Sequence, residues 1–182
     1  MQYFNKTITL KDGRTVLLRS TNGGDAEAML HFLKQTSAET EFLLRYPDEW
    51  TMTVEQEAAF LETGQDSPSD IKIAAFASGK IVGNISIDSM GTNFKIRHRA
   101  SLGIAVIKDY WNCGLGTVLI REAIRSLQNS PIMQIELGVF SNNLSAIHLY
   151  EKLGFHHMGV IPHAFHLKDG TYCDEAQMYY TL

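Results

Sequence analysis

The chain has 182 residues, of which 45% are hydrophobic and 20% are charged, and its formal net charge is −4. This size and composition are typical of a single globular domain, which we expect to span residues 1–182. The acidic balance and the lack of a basic stripe exclude a typical nucleic-acid binder. The sequence shows neither a signal peptide nor an apolar run of the roughly 20 residues that cross a bilayer. Its two cysteines, Cys113 and Cys173, form neither a disulfide framework nor a CxxC pair, so we expect a reducing, cytoplasmic location.

The first elements are a hairpin and a helix. Residues 7–10 and 15–19 alternate between apolar and polar side chains on either side of Asp12-Gly13. Asp-Gly between two such runs predicts a β-hairpin. Asp25 follows at the position of an N-cap, which predicts a helix whose first turn it caps.

The stretch 39–70 has an unusual composition, with nine acidic residues and a single basic one, Arg45. Thr53 and the glutamine three positions later fit a capping box, which predicts a helix over residues 54–62. Residues 64–69 are rich in Gly, Ser and Pro and predict a loop.

Two adjacent strands and a final hairpin complete the frame of a sheet. Residues 71–77 and 81–87 are apolar runs joined by Ser78-Gly79-Lys80, and this close spacing predicts an antiparallel pair. A turn at 168–170 lies between the last two apolar runs of the chain. We therefore expect an α+β fold with a mostly antiparallel sheet and about four helices.

The segment from 100 to 155 carries the strongest signals. It begins with a strand over residues 100–107 and continues through a glycine loop at 110–117 into a helix that ends near 129. Another strand follows over residues 132–140, and the segment closes with a second helix.

The glycine loop predicts an anion site at the start of a helix. The first N–H groups of a helix have no intrahelical partner and carry partial positive charge. Gly114 and Gly116 lack a Cβ, so a phosphate can approach the backbone closely. The loop fits neither a Walker A motif nor G-x-G-x-x-G, and a tight strand–helix turn that binds nothing is the alternative.

The last helix of the segment has its own start and stop signals. Asn143 is placed as its N-cap, and Gly154 fits the position after its last turn. Together, the loop and this helix resemble the GNAT superfamily of acyl-CoA-dependent N-acetyltransferases, particularly its amino-acid and ribosomal-protein acetylating branches. The family motif Asn-x-x-Ala-x-x-Leu-Tyr-Glu-Lys-x-Gly-Phe is matched throughout, at Asn143, Ala146, Leu149, Tyr150, Glu151, Lys152, Gly154 and Phe155.

The family's pyrophosphate loop, Arg/Gln-x-x-Gly-x-Gly/Ala, is matched at both glycines, but Trp111 stands where Arg or Gln is usual. The resemblance implies a sheet of about six to seven strands with splayed central strands, and acetyl-CoA as cosubstrate without a metal. The residues that it implies for cofactor binding are Ile104, Ala105, Val106, Trp111, Asn112, Cys113, Gly114, Leu115, Gly116, Thr117, Asn143, Ala146 and Tyr150.

The resemblance also implies catalytic roles. Tyr150 is expected to be the general acid that protonates the departing thiolate, since a phenol pKa of about 10 suits that task; packing in the core is the alternative. N-terminal acetylases of the family carry a Glu where this chain has Gly138. Glu136 lies on the same face of that strand and is the candidate general base, against a surface carboxylate or a water-mediated base elsewhere. A backbone N–H at Ile104 or Val106 is expected to stabilise the oxyanion.

The acceptor is expected to be a primary amine. The acidic, aromatic stretch 39–70 favours a small cationic acceptor such as a polyamine, an amino acid or amine, or a protein N-terminus, although solvated acidic helix faces explain it equally well. A non-catalytic module that binds acyl-CoA is the alternative from another class, and a nucleotide-binding regulator is a third. We expect no nucleic-acid or membrane partner. The resemblance implies a homodimer as a candidate assembly, since members of the family are often dimers.

Overall fold

The computed structural model describes residues 1–63 and 67–182, so Gly64–Asp66 of the predicted loop lie outside the described residues. Within these segments the chain forms one eight-stranded sheet and four α-helices. The strands are β1 (Lys6–Thr9), β2 (Thr15–Arg19), β3 (Ile71–Ala77), β4 (Lys80–Ser89), β5 (Arg99–Val106), β6 (Gln134–Phe140), β7 (His156–His166) and β8 (Tyr172–Thr181). The helices are α1 (Ala26–Glu39), α2 (Val54–Glu62), α3 (Leu115–Ser126) and α4 (Leu144–Lys152).

The predicted α+β class is confirmed. The strand order is β1-β2-β3-β4-β5-β6-β8-β7, and among the described strands only β5 and β6 pair in parallel. The sheet of the described segments has one strand more than the upper expected number, because the long final hairpin of β7 and β8 joins it completely. None of the helices in these segments is long and apolar enough to cross a membrane.

Local signals place most elements correctly. Gly13, with φ of +85°, forms the turn of the first hairpin. In this hairpin Lys6 pairs with Leu18 at one end and Thr9 pairs with Thr15 at the other. The Thr53–Gln56 capping box forms as predicted, with the backbone N–H of Gln56 donating to Thr53 Oγ1.

Asp25 takes a different role from the one expected. It is the N-cap of α1 by position, but its carboxylate accepts no hydrogen bond from the first N–H groups of that helix. Instead it accepts hydrogen bonds from both terminal nitrogens of Arg19, at 2.7 and 2.6 Å, and from the N–H of Asn22. The Arg19 guanidinium is a stronger partner for the Asp25 carboxylate than a backbone N–H is, because the guanidinium and the carboxylate carry opposite charges.

The central strands separate as the family resemblance implies. Parallel pairing of β5 with β6 covers three residue pairs and ends at Ser101–Glu136. Beyond that point β5 stays paired with β4 up to Val106, and β6 stays paired with β8 up to Phe140. A gap that widens toward the carboxyl ends of both strands therefore opens in the sheet, and we call it the central gap.

The sheet separates two layers of helices. A Cβ built on Gly83 would lie 3.1 Å from Leu115 of α3, so α3 covers that face closely. The next residue, Asn84, points to the opposite face, where its amide lies 4.0 Å from the sulfur of Met29 in α1. Side chains alternate along a strand, so the strand registers place four further residues on the α1 face. These are Gly138, Phe140, Glu175 and Gln177.

Candidate active site

The N-terminus of α3 presents free backbone donors. Gly114 is its N-cap with φ of +92°, and the helix begins at Leu115, as predicted. The N–H groups of Gly114, Leu115, Gly116 and Thr117 donate no hydrogen bond within the part of the chain that the structure describes. Four unpaired donors at the positive end of a helix dipole are able to bind a phosphate group.

Both glycines of this loop also have a structural reason to be glycine. Gly114 adopts a left-handed conformation that other residues enter only with strain. A Cβ built on Gly116 would lie 3.2 Å from Leu149, so this residue lets α4 approach α3. The glycines alone therefore do not identify a phosphate site, and the free N–H groups carry that argument.

Lys11 of the first hairpin lies beside the glycine loop. Its Cε would be 3.3 Å from a Cβ built on Gly114, and its backbone N–H donates to the carbonyl of Cys113 at 3.1 Å. The tip of the first hairpin thus brings a cation to the start of α3. This contact joins residues far apart in sequence, so no local pattern signals it.

Trp111 and Cys113 are fixed within the protein. The indole N–H of Trp111 donates to the carbonyl of Val106 at 2.7 Å, and its backbone N–H donates to Lys108. Trp111 therefore has no N–H left for a phosphate and offers only the face of its ring; the residue as a whole is 41% exposed. The thiol of Cys113 is buried and donates to the carbonyl of Tyr110, which is a structural arrangement.

The end of β5 exposes alternate backbone groups to the central gap. The N–H of Ile107 donates to Val82 of β4, so the odd-numbered residues of β5 direct their polar groups toward β4. Ala105 is one of them and has its polar backbone groups on the β4 side. Ile104 and Val106 direct theirs toward the central gap, which is the placement required of an oxyanion donor.

Helix α4 is capped at both ends as predicted. Asn143 Oδ1 accepts from the N–H of Ala146 at 3.2 Å, and Gly154 follows the last turn with φ of +95°. The amide nitrogen of Asn143 donates to no residue in the described segments. It is therefore free to donate to a ligand that passes the start of α4.

Tyr150 is buried with its hydroxyl unpaired. The residue is 7% exposed, and its ring packs beside that of Phe155 at a centroid distance of 5.7 Å. The hydroxyl forms no hydrogen bond with any residue of segments 1–63 and 67–182. Burial raises the pKa of Tyr150 to about 12, so the phenol stays protonated at neutral pH.

Glu136 lies at the closed end of the central gap. Its carboxylate accepts from Arg99 Nη2 at 2.7 Å and from the amide of Gln134 at 2.7 Å. The Arg99 guanidinium lowers the pKa of Glu136, because it stabilises the charged form. A carboxylate neutralised in this way and opposite Ser101, where the strands still pair, is poorly placed to take a proton from an amine. The structure thus argues against the predicted base and assigns Glu136 to the joint between β5 and β6.

The acidic stretch 39–70 is largely structural. Several of its carboxylates bind the protein's own donors rather than forming an open acidic surface. These pairs are Glu39 with the N–H of Lys108, Glu49 with the N–H of Tyr46, Asp70 with the N–H of Ser89, and Asp48 with the ammonium of Lys168. The expectation of a cationic acceptor therefore loses the support of these four groups.

An aromatic cluster lies on the α1 face at the end of β6. The rings of Phe140 and Phe165 stack with centroids 3.8 Å apart, and Phe42 meets Phe140 edge-on at 5.7 Å. Phe140 is 5% exposed, whereas Phe42 and Phe165 are partly accessible. We call these three residues the aromatic cluster; they provide an apolar wall at the open end of the central gap.

The histidines of the last hairpin form no metal site within the described residues. His163 and His166 lie against the ring of Tyr172, at centroid distances of 5.3 and 4.4 Å. Across the described segments, no group of three His, Cys, Asp or Glu side chains is arranged to hold a metal ion.

Comparison with known proteins agrees with this geometry. The profile of the acetyltransferase (GNAT) family matches residues 36–155. L-amino acid N-acetyltransferase AaaT of Escherichia coli K12 is 33% identical over 114 residues, which cover 62% of this chain and 69% of that protein. A GNAT acetyltransferase from Streptococcus pneumoniae superposes with a TM-score of 0.88 and 33% identity, over 92% of this chain and 99% of the other.

More distant structures share the fold. Ribosomal-protein-alanine N-acetyltransferase from Brucella melitensis has a TM-score of 0.78 and 21% identity, over 91% of this chain and 99% of its own. A structure of yncA from Salmonella typhimurium with its cofactor acetyl-CoA has a TM-score of 0.79 and 20% identity, over 92% and 94% of the two chains. With the family profile matched across the glycine loop and α4, the chain belongs to the acetyltransferase (GNAT) family.

Proposed function

We propose that this protein transfers the acetyl group of acetyl-CoA directly to the primary amine of an L-amino acid. The observation that carries the proposal is the phosphate site at the start of α3, which opens beside the central gap. The E. coli relative is named an L-amino acid N-acetyltransferase, and the yncA structure contains acetyl-CoA. The two free cysteines agree with a reducing, cytoplasmic location.

The cofactor would lie along the residues that have free donors. The N–H groups of Gly114–Thr117 would bind the pyrophosphate, with the ammonium of Lys11 nearby. The pantetheine arm would follow the inner edge of β5 past Ile104 and Val106, and the amide of Asn143 would donate to it. Along this path the thioester would lie in the central gap, next to the aromatic cluster.

The chemistry follows from the groups that surround the gap. The amine attacks the thioester carbonyl, and the backbone N–H of Ile104 or Val106 stabilises the negative charge on its oxygen. Tyr150 gives its proton to the departing thiolate. Burial raises the pKa of a thiol as well as that of a phenol, so the two groups remain matched inside the protein.

A substrate panel tests the proposal. Purified protein is mixed with acetyl-CoA and each of the twenty L-amino acids, with spermidine and with short peptides, and released thiol is measured. We expect thiol release with one or more L-amino acids and an acetylated α-amine by mass spectrometry. Tight binding of acetyl-CoA without turnover of any amine would instead identify a non-catalytic acyl-CoA-binding module.

A further inference from the structure

The carboxylate of Glu175 lies over Gly138. A Cβ built on Gly138 would overlap Oε1 of Glu175 and lie 2.5 Å from its Cδ. Glu175 belongs to β8 and pairs in register with Phe140 of β6, two residues beyond Gly138 on the same face. The space in which a side chain at position 138 would begin is therefore filled by a carboxylate from the neighbouring strand.

Glu175 differs from Glu136 in its partners. Its Oε2 accepts from the amide of Gln177 at 2.6 Å. None of the described Lys, Arg or His side chains lies within 4.0 Å of it, whereas Glu136 is paired with Arg99. Glu175 is also partly accessible, while Glu136 is buried. Oε1 of Glu175 is thus a carboxyl oxygen without a charged partner in the described protein.

The surroundings of Glu175 suit an incoming amine. β6 loses β5 as a neighbour after Glu136, so Gly138 and Glu175 border the open part of the central gap. The aromatic cluster lies on the same face, because Phe165 pairs with Cys173 and Phe140 pairs with Glu175. Aromatic faces attract cations and pack against apolar side chains, so an ammonium next to an apolar group fits both features.

We propose that Glu175 is the catalytic residue that binds the acceptor's ammonium and removes its proton, for amines that neighbour an apolar or aromatic side chain. The inference rests on the proposed acetyl transfer. One N–H bond of the ammonium breaks and an O–H bond forms at Oε1 of Glu175. The freed lone pair forms the C–N bond, the C–S bond breaks, and the thiolate takes the proton of Tyr150. A second N–H bond, on the nitrogen of the new amide, then breaks, and solvent carries its proton to the Tyr150 phenolate. Solvent also takes the proton from Glu175, so the reaction releases one proton in total.

Glutamine substitutions at the two carboxylates separate their roles. The probe is the L-amino acid that the wild type acetylates fastest in the panel, and the readouts are kcat, KM, acetyl-CoA affinity and Tm. We expect Glu175→Gln to lower kcat about 100-fold or more without changing acetyl-CoA affinity. The matched control, Glu136→Gln, is expected to keep kcat within about threefold and to lower Tm, because it loses an ion pair at a distance from the amine.

Moving the carboxylate from residue 175 to residue 138 gives a second test. If Glu175 were only structural, this change would not restore kcat. Glu175→Ala empties the space above Gly138, and adding Gly138→Glu returns a carboxylate to it from β6. We expect the double variant to recover at least about tenfold in kcat over Glu175→Ala.

Three outcomes decide the matter. A wild type that acetylates no amine overturns both the proposed function and this inference. An active wild type whose Glu175→Gln variant keeps kcat within threefold overturns the inference alone. A folded double variant that remains as slow as Glu175→Ala also overturns it, because the location of the carboxylate would then be irrelevant.

Discussion

At the residue scale, the phenol of Tyr150 is both buried and proposed to be the general acid. Its phenol has a pKa of about 12 because it is removed from water, so it carries its proton across the physiological range. Its hydroxyl has no hydrogen-bond partner in the described segments and is not among the fully buried, unpaired side-chain atoms there. An unpaired, protonated donor is what a leaving thiolate requires.

We therefore expect Tyr150→Phe to lower kcat about 100-fold or more, because the thiolate loses its proton donor. Acetyl-CoA affinity should change little, since the ring remains in place beside Phe155. Steady-state kinetics and a binding titration measure the two quantities. Tyr180→Phe is the control, because that ring also contacts Phe155 but is assigned no proton transfer. Unchanged kcat in Tyr150→Phe would assign this phenol to packing.

The sequence predicts some of these residues better than others. Asn143, Tyr150 and the two loop glycines belong to local motifs, whose spacing is visible in one stretch of chain. Glu136 was chosen by strand period alone, and its pairing with Arg99 depends on which strands become neighbours. Glu175 also depends on strand pairing and has no local sequence signal, since the register of β6 and β8 brings its side chain to Gly138.

At the scale of elements, the first hairpin packs against the glycine loop and hydrogen-bonds to it. Arg14 donates to the carbonyl of Asp109 at 2.8 Å and stacks on the ring of Tyr110 at 3.9 Å. Lys11 is bonded to Cys113 through its backbone and extends its side chain past Gly114. The hairpin thus fixes the loop from outside and brings a positive charge to its opening.

Lys11→Ala is expected to weaken acetyl-CoA binding about three- to tenfold at low salt, because a phosphate loses a nearby ammonium. The loss should shrink as salt is raised, since the interaction is open to solvent. Isothermal titration at two salt concentrations measures both effects. Lys80→Ala, at the exposed start of β4, is the control. A salt-independent loss, or an equal loss in the control, contradicts this role for Lys11.

At the scale of the whole molecule, the types of the elements and their order could be predicted, but the side-chain contacts between the elements could not. Hydrophobic period and turn residues located the strands and helices, because these signals are local. The acidic composition of 39–70 fits a cationic acceptor and solvated helix faces equally well, yet Glu39 and Asp70 bind backbone N–H groups of distant segments. Such long-range roles depend on the assembled fold.

Two ion pairs make stability depend on pH. The pKa of Asp25 is lowered by Arg19, and that of Glu136 by Arg99. A lowered folded-state pKa stabilises the protein above the unfolded value, about 4, and that contribution disappears as pH falls through the folded value. We therefore expect Tm to be nearly constant from pH 6 to 8 and to fall below about pH 4.

Glu136→Gln should lose about 1–2 kcal/mol at pH 7, the lower part of the range for charged hydrogen bonds because Arg99 is partly exposed. This corresponds to a Tm lower by about 2–8 °C for a chain of this size. The difference from wild type should narrow below pH 4. Circular dichroism melts measure it, with the exposed Glu27→Gln as control. A variant as stable as wild type at pH 7 would show that the pair contributes nothing.

Binding of acetyl-CoA at α3 and the central gap is the claim on which the proposed reaction depends. Thermal unfolding with acetyl-CoA, CoA and ATP in parallel tests it most directly. A ligand that binds only the folded state adds about 2.7 kcal/mol at 100 times its Kd, which raises Tm by about 5–11 °C here. We predict this rise with acetyl-CoA and CoA and a much smaller one with ATP. No rise with acetyl-CoA, or an equal rise with ATP, would contradict the account.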